Sequence, residues 1–206
     1  MGLMPRFACV LLVSMVSWAC APAAAEPEPL APDGAAEPDP GSAQSADESA
    51  PGASGLAMPE DVRALWPQIS ATAQRHGLPP DLVALVVWLE SGGRPEAVSP
   101  SGARGLMQLM PATAAAVARD RGEPPPSDEE LSDPARNLEL GCAHVAALLD
   151  ELELRALDGE AVHRLAVAYN GGMAVLRAWD GGQPLPEETR AYAAAMRERW
   201  ESRDAR

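Results

Sequence analysis

One stretch limits the fold more than any other. Residues 82–89 read LVALVVWL, without a single charged side chain. Leu82, Val83, Leu85, Val86, Val87 and Leu89 point in every direction around a helix, and a helix that is apolar all round is a buried one. The β-branched residues would also suit a strand. Pro79-Pro80-Asp81 in front of the run favours the helix, because proline is pre-organised for a first turn. The run ends on Glu90, directly before a loop that carries Gly92, Gly93, Pro95, Pro100 and Gly102.

The chain around this segment reads as helical nearly throughout. Pro67 starts a helix through Ala73 that Gly77 stops. Gly105 to Met110 is a short helical or irregular turn, and Pro111 opens a helix that ends before Gly122. Glu123 to Ser132, with Pro124-Pro125-Pro126, is expected as loop. Asp133-Pro134 opens a long helix to about Leu152, with Leu138, Val145, Leu148 and Leu149 on one face. Ala161 to Tyr169 is helix, Asn170-Gly171-Gly172 breaks it, Val175 to Trp179 resumes, and Glu187 to Trp200 is the last. Neither an internal repeat nor a convincing strand pair is present. The expectation is a mainly α fold in one globular domain, residues 58–206, of a size that suits a single core.

The first part of the chain is different. Arg6 and the apolar run from Phe7 to Trp18 read as an export signal over residues 1–25, too short to span a bilayer as a mature helix. Two cleavage sites compete. Ala23-Ala24-Ala25 before Glu26 suits an ordinary signal peptidase, and Ala19-Cys20 resembles the end of a lipoprotein box that would lipidate Cys20. Ser17 and Trp18 depart from that box. Residues 26–57 form an Ala/Pro/acidic linker. Its stretch to residue 55 holds seven acidic residues and no basic one, and it has too little apolar surface to offset its ordering entropy. The expected location is therefore the periplasm or cell envelope, as a free protein or as an outer-membrane lipoprotein anchored through Cys20.

The net charge is −14, and the chain has no Lys. Such acidity argues against nucleic acid as a partner, since neutralising phosphates takes a basic surface. Of the three Cys, at 9, 20 and 142, the folded part keeps only Cys142, so it has no intrachain disulfide. An inert buried thiol is the expectation there. His76, His144 and His163 are scattered and lack metal-ligand spacing.

Glu90 is the residue most suggestive of chemistry. It adjoins buried apolar surface, which disfavours a charged carboxylate. It also lies at a helix C-terminus, whose partial negative charge repels an anion. A carboxyl kept protonated near neutral pH can give a proton to a leaving oxygen. From position alone, a surface Glu at a frayed helix end is the competing explanation.

Residues 90–114 read ESGGRPEAVSPSGARGLMQLMPATA. This segment resembles the signature of the soluble lytic transglycosylases, a family with a lysozyme-like fold related to goose-type lysozymes. Asp133-Pro134 with Asn137-Leu138 and Gly141 is similar to the family's next block. Ala168-Tyr169-Asn170-Gly171-Gly172 is similar to the one after, and Pro186 with Glu188-Thr189-Arg190 and Tyr192 to the last. The resemblance covers roughly Leu65 to Met196, in the right order. It implies Glu90 as the catalytic acid/base and Ser99 as a hydrogen-bond partner of that carboxyl or of the substrate. It implies Gly105, Gln108 and Met110 as cleft-lining, Tyr169 and Asn170 beside the scissile bond, and Glu188 and Tyr192 as a carboxylate and an aromatic of the cleft wall. These residue types suit sugars: amides donate and accept, tyrosine offers a flat face and a hydroxyl, and glycine lets a sugar approach the backbone. His144 where the family usually has Tyr, Gly171 in place of a common Ala, and a long acidic loop at 123–132 are departures.

The resemblance implies a monomeric enzyme acting on peptidoglycan glycan strands. It would cut between N-acetylmuramic acid and N-acetylglucosamine and leave 1,6-anhydromuramoyl ends, with neither metal nor cofactor. Ordinary glycosidases use two carboxylates. Near Glu90 in sequence only Glu96 offers a second, in an exposed loop, and Glu188 could approach only through folding. Two alternatives remain open: a goose-type lysozyme-like hydrolase, and a non-catalytic peptidoglycan-binding scaffold, whose mark would be loss of the Glu.

Overall fold

The computed structural model describes residues 56–203. The expected signal peptide, Cys20 and nearly all of the expected linker lie outside the described residues. Leu56, assigned above to the linker's end, is instead buried in the core beside Met58, so the described fold begins inside that stretch.

Among the described residues the structure is helical, with α1 Glu60–Ala64, α2 Trp66–Arg75, α3 Pro80–Ser91 and α4 Pro111–Asp120 followed by α5 Asp128–Ser132, α6 Pro134–Glu151, α7 Gly159–Asp180 and α8 Glu187–Ser202. Strand-like pairing is confined to two isolated bridges, Val98 with Arg104 and Arg104 with Leu109.

Local chemistry explains most of the boundaries. Prolines stand in the first turn of α2, α3, α4 and α6, where the missing N–H costs nothing. Asp133 caps α6 by accepting the Arg136 N–H at 2.7 Å, and Asp158 caps α7 by accepting that of Ala161 at 2.8 Å. Gly92 ends α3 in the left-handed region at φ 65°, a conformation a β-carbon would disfavour.

α3 is the central helix. Leu82, Val83, Ala84, Leu85, Val86 and Val87 are all buried, and α2 and α8 pack against it. Each such Leu or Val contributes about 1.5–3 kcal/mol by leaving water. α7 lies along α8, while α6 meets α2, α4, α5 and α7. A second, smaller cluster of Leu109, Ala114, Ala118, Leu131 and Leu140 seats α4 and α5 on α6.

Two expectations need correcting. The stretch to Ser132 is not loop throughout, because α5 forms inside it. Ser127 Oγ accepts the Glu130 N–H at 3.2 Å, and Glu130 Oε2 accepts the Ser127 N–H at 2.7 Å. This capping box nucleates one turn, and burial of Leu131 holds it down. The break in α7 is also narrower than Asn170-Gly171-Gly172. The helix is kinked at Gly172, at φ 81° and ψ 163°, so Asn170 and Gly171 stay helical. Gly171 lies under α8, where a β-carbon would come within 3.1 Å of Thr189 Cγ2.

Candidate active site

The site grows from the last turn of α3. Ser91 closes the turn: its hydroxyl donates to the Val87 carbonyl at 3.2 Å and accepts the Gly93 N–H at 3.1 Å. Glu90, one residue earlier, is thereby held on a rigid element. Burial raises its carboxyl from 4.5 to about 7. The Tyr192 hydroxyl works against this rise, and the negative charge of Glu188 adds to it. Both come from the first turns of α8. No cation among the described residues offsets the rise, which leaves a carboxyl able to hold or release its proton near neutrality.

Two tyrosines flank Glu90. Tyr192 Oη is buried and faces the carboxyl closely enough to affect it, yet completes a hydrogen bond to no protein atom. Its contact with Glu90 therefore falls short of full hydrogen-bond geometry. Tyr169, from α7, donates its hydroxyl to the Met107 carbonyl at 2.7 Å. Burial first, and then the charge of Glu90, push its ionisation well above the usual range, so it serves as a neutral donor or apolar face.

The turn from Gly105 to Met110 is tied to Tyr169 through the Met107 carbonyl. Gln108 has a left-handed backbone, φ 45°, at a cost of order 1–3 kcal/mol for a residue that is not glycine. Its amide nitrogen repays that by donating to the carbonyls of Ala97 and Gly105, both at 3.0 Å. The amide is thus oriented, with its oxygen left over. Met110 is 41% exposed at the start of α4.

Not every expected residue does what the resemblance implies. Ser99 makes no hydrogen bond to Glu90. Its hydroxyl accepts the Ala103 N–H at 3.0 Å and pairs with Ser101 Oγ at 2.9 Å, tying its own loop together. Gly105 is buried, and a β-carbon there would strike the Leu131 carbonyl and the Asn137 side chain. Packing by itself requires glycine at this position. Glu188 is exposed and reaches Glu90 through folding, as its sequence distance required. Asn170 is partly buried on α7.

Sequence reasoning missed the part played by Asn137. Fully buried on α6, it accepts the Met107 N–H at 2.8 Å and donates to the carbonyls of Leu131 at 2.8 Å and Arg104 at 3.0 Å. It holds the Gln108 turn against α6. An amide beside Leu138 and one turn before Gly141 on α6 was the available signal. Met107 lies so close to α6 that a β-carbon on Gly141 would run into its sulfur.

Cys142 is buried, and burial pushes its thiol up to about 12, as expected of an inert core residue. Among the described residues no cluster of His, Cys, Asp or Glu could hold a metal ion. A depression of about 570 Å³, lined by His163, Ala194, Arg197 and Glu201 among others, contains none of the expected site residues.

Fold and site together define a mainly α, lysozyme-like domain with one partly buried acid near two tyrosines. Residues 67–189 match the model of the transglycosylase SLT domain, and the chain belongs to that family. It is 38% identical over 129 residues to the endo-type membrane-bound lytic murein transglycosylase A of Klebsiella pneumoniae, covering 57% of this chain and 61% of that one. With the Citrobacter koseri protein of the same name it shares 39% over 118 residues, 54% of this chain and 58% of that one. This chain thus spans about three fifths of the length of these curated relatives. Among solved structures, it is similar to an inactive mutant of the lytic transglycosylase Slt from Pseudomonas aeruginosa. The TM-score is 0.54 at 27% identity, over 63% of this chain and 22% of that one. The 70-kDa soluble lytic transglycosylase, solved with bulgecin A, gives a TM-score of 0.55 at 23% identity over 66% and 24%. At that identity the likeness concerns the fold alone.

Proposed function

We propose that this domain cleaves peptidoglycan glycan strands as a lytic transglycosylase, with Glu90 serving first as acid and then as base. The observation that carries the proposal is the placement of Glu90, partly buried in the last turn of α3 beside Tyr192, where burial raises its carboxyl to about 7 and no cation among the described residues offsets it. The protonated carboxyl gives its proton to the glycosidic oxygen as the bond from that oxygen to the muramoyl anomeric carbon breaks. The carboxylate left behind takes the proton of the muramoyl 6-hydroxyl, whose oxygen bonds to the same anomeric carbon. A 1,6-anhydromuramoyl end results, no water is consumed, and Glu90 returns to its starting state.

The surrounding groups fit this sequence. Low polarity favours the neutral acid, and Tyr192 gives the carboxylate a nearby donor when it forms. Gln108, Met110, Tyr169 and Asn170 are assigned to sugar binding, Gln108 through its unused amide oxygen. Ser99 is assigned to the substrate side, from its own loop, since its hydroxyl bonds Ser101 and Ala103 and not Glu90. Glu188 is solvated and acts on Glu90 by charge. The location proposed is the cell envelope, with Cys20 as the candidate lipid attachment point. No helix among the described residues is long and apolar enough to cross a membrane.

Digestion of purified sacculi by the full chain, followed by mass analysis, tests the proposal. Muropeptides ending in 1,6-anhydromuramic acid are expected. Products heavier by one water would mean hydrolysis, in which case Glu188 becomes the candidate second carboxylate. No release at all would leave only the scaffold alternative.

A further inference from the structure

The three histidines of the described fold differ in what their ring nitrogens meet. His76 Nε2 lies 3.0 Å from Glu139 Oε1. His163 packs on Trp179, and its Nδ1 is sealed from solvent without a partner. His144 is the third case. Neither of its nitrogens has a hydrogen-bond partner among the described residues, and neither is sealed, so both reach solvent although the ring is partly buried.

Its place in the fold is equally specific. On α6, Asn137, Gly141 and His144 are four and three residues apart and so share one ridge. Asn137 grips the Met107 N–H, and Gly141 admits the Met107 side chain. His144 comes next along that ridge and lies against Tyr169, ring centroids 5.5 Å apart at 44°. Tyr169 is in turn bonded to the Met107 carbonyl and feels the charge of Glu90. A packing role accounts for the side of the imidazole turned to Tyr169 but not for the open edge. Burial lowers the ring's proton affinity, so near neutrality it offers one N–H donor and one bare nitrogen acceptor. That pair matches a sugar hydroxyl or acetamido group, each of which both donates and accepts or presents the two roles side by side.

We propose that His144 is a further saccharide-binding residue of this site, its imidazole edge hydrogen-bonding a hydroxyl or acetamido group of a sugar seated against Tyr169. This rests on the glycan-cleaving reading above.

The test is steady-state release of anhydro ends from solubilised glycan strands by the full chain and its variants. His144→Phe keeps the ring contact and loses the edge, and KM should rise on the order of five- to tenfold while kcat moves much less, as for loss of one uniform binding contact. His144→Gln, with a donor and an acceptor of its own, should recover most of that loss. If Phe proves too large to fold, His144→Leu takes its place. A Phe or Leu variant with the parent's KM overturns the proposal, and so does a Gln variant as poor as Phe. If the parent itself releases no anhydro ends, the glycan-cleaving reading falls and this one with it. An active parent unaffected at His144 sinks this inference alone.

Discussion

Two glutamates in this domain face opposite electrostatic fates. For both, burial is the first influence, and burial alone raises a carboxyl. Glu90 meets no offsetting cation among the described residues and rises to about 7. Glu139, on α6, meets Arg75 at 3.0 Å, His76 at 3.0 Å and Arg121 at 3.0 Å, and ends below the usual carboxylate range. The seam around Glu139 continues through Arg121 to Glu123 at 2.8 Å and ties α2, α4 and α6 together. Partial burial does not by itself make a carboxylate chemically useful. The missing counter-charge does, and the same acid with cations beside it becomes a fastener.

The largest expected effect breaks the comparison at Glu90. Glu90→Gln keeps the shape and removes the transferable proton, so cleavage of sacculi should fall at least ~10²-fold with the fold intact by circular dichroism. Substantial retained activity would end the single-acid mechanism.

The same variant should gain stability at neutral pH. Between 4.5 and about 7 the folded chain keeps the Glu90 proton while the unfolded chain releases it. The parent's stability contribution from this group is therefore complete below 4.5 and is lost as pH rises through about 7. The loss amounts to at most about 3 kcal/mol. Denaturant midpoints of parent and variant should converge at low pH and separate as pH rises, the variant being the more stable. Parallel curves would contradict the raised carboxyl.

Smaller changes should move the alkaline limb of the activity profile in opposite directions. Tyr192 lowers the Glu90 carboxyl and Glu188 raises it. Tyr192→Phe should shift the pH at which activity falls upward, and Glu188→Gln downward. Shifts of the same sign, read from kcat/KM against pH, would mean that the two side chains do not act on Glu90 as described.

The smallest effect belongs to the seam. Glu139→Gln should cost about 0.5–1 kcal/mol, the range of partly exposed ion pairs, with unchanged cleavage. Because the folded carboxyl is depressed, this contribution is present above the ordinary Glu value and fades as pH falls. High salt should narrow the difference in melting temperature. A change in cleavage rate would show that the seam and the site are coupled.

Local elements are largely legible in the sequence. Pro67, Pro80, Pro111 and Pro134 mark first turns, Asp133 and Asp158 cap, and Gly92 stops α3, because these signals act within a few residues. α5 carries its own signal in Ser127 and Glu130, outweighed by the prolines in front of it. Asn137 is hidden for another reason: its three partners lie in the Gln108 turn and at the end of α5, and a lone amide announces nothing until they arrive. Ser99 illustrates the reverse, since a hydroxyl in a Gly-rich loop has nearer backbone groups to satisfy than a carboxyl across the site.

By itself, the sequence determined that an apolar helix would be buried and that an acid would stand at its end, since helix period, caps and hydrophobicity are properties of neighbouring residues. The state of that acid was decided only by tertiary structure. Its proton affinity is set first by desolvation, which only packing of the whole domain produces, and is then adjusted through space by Tyr192 and Glu188 on α8, about a hundred residues away along the chain.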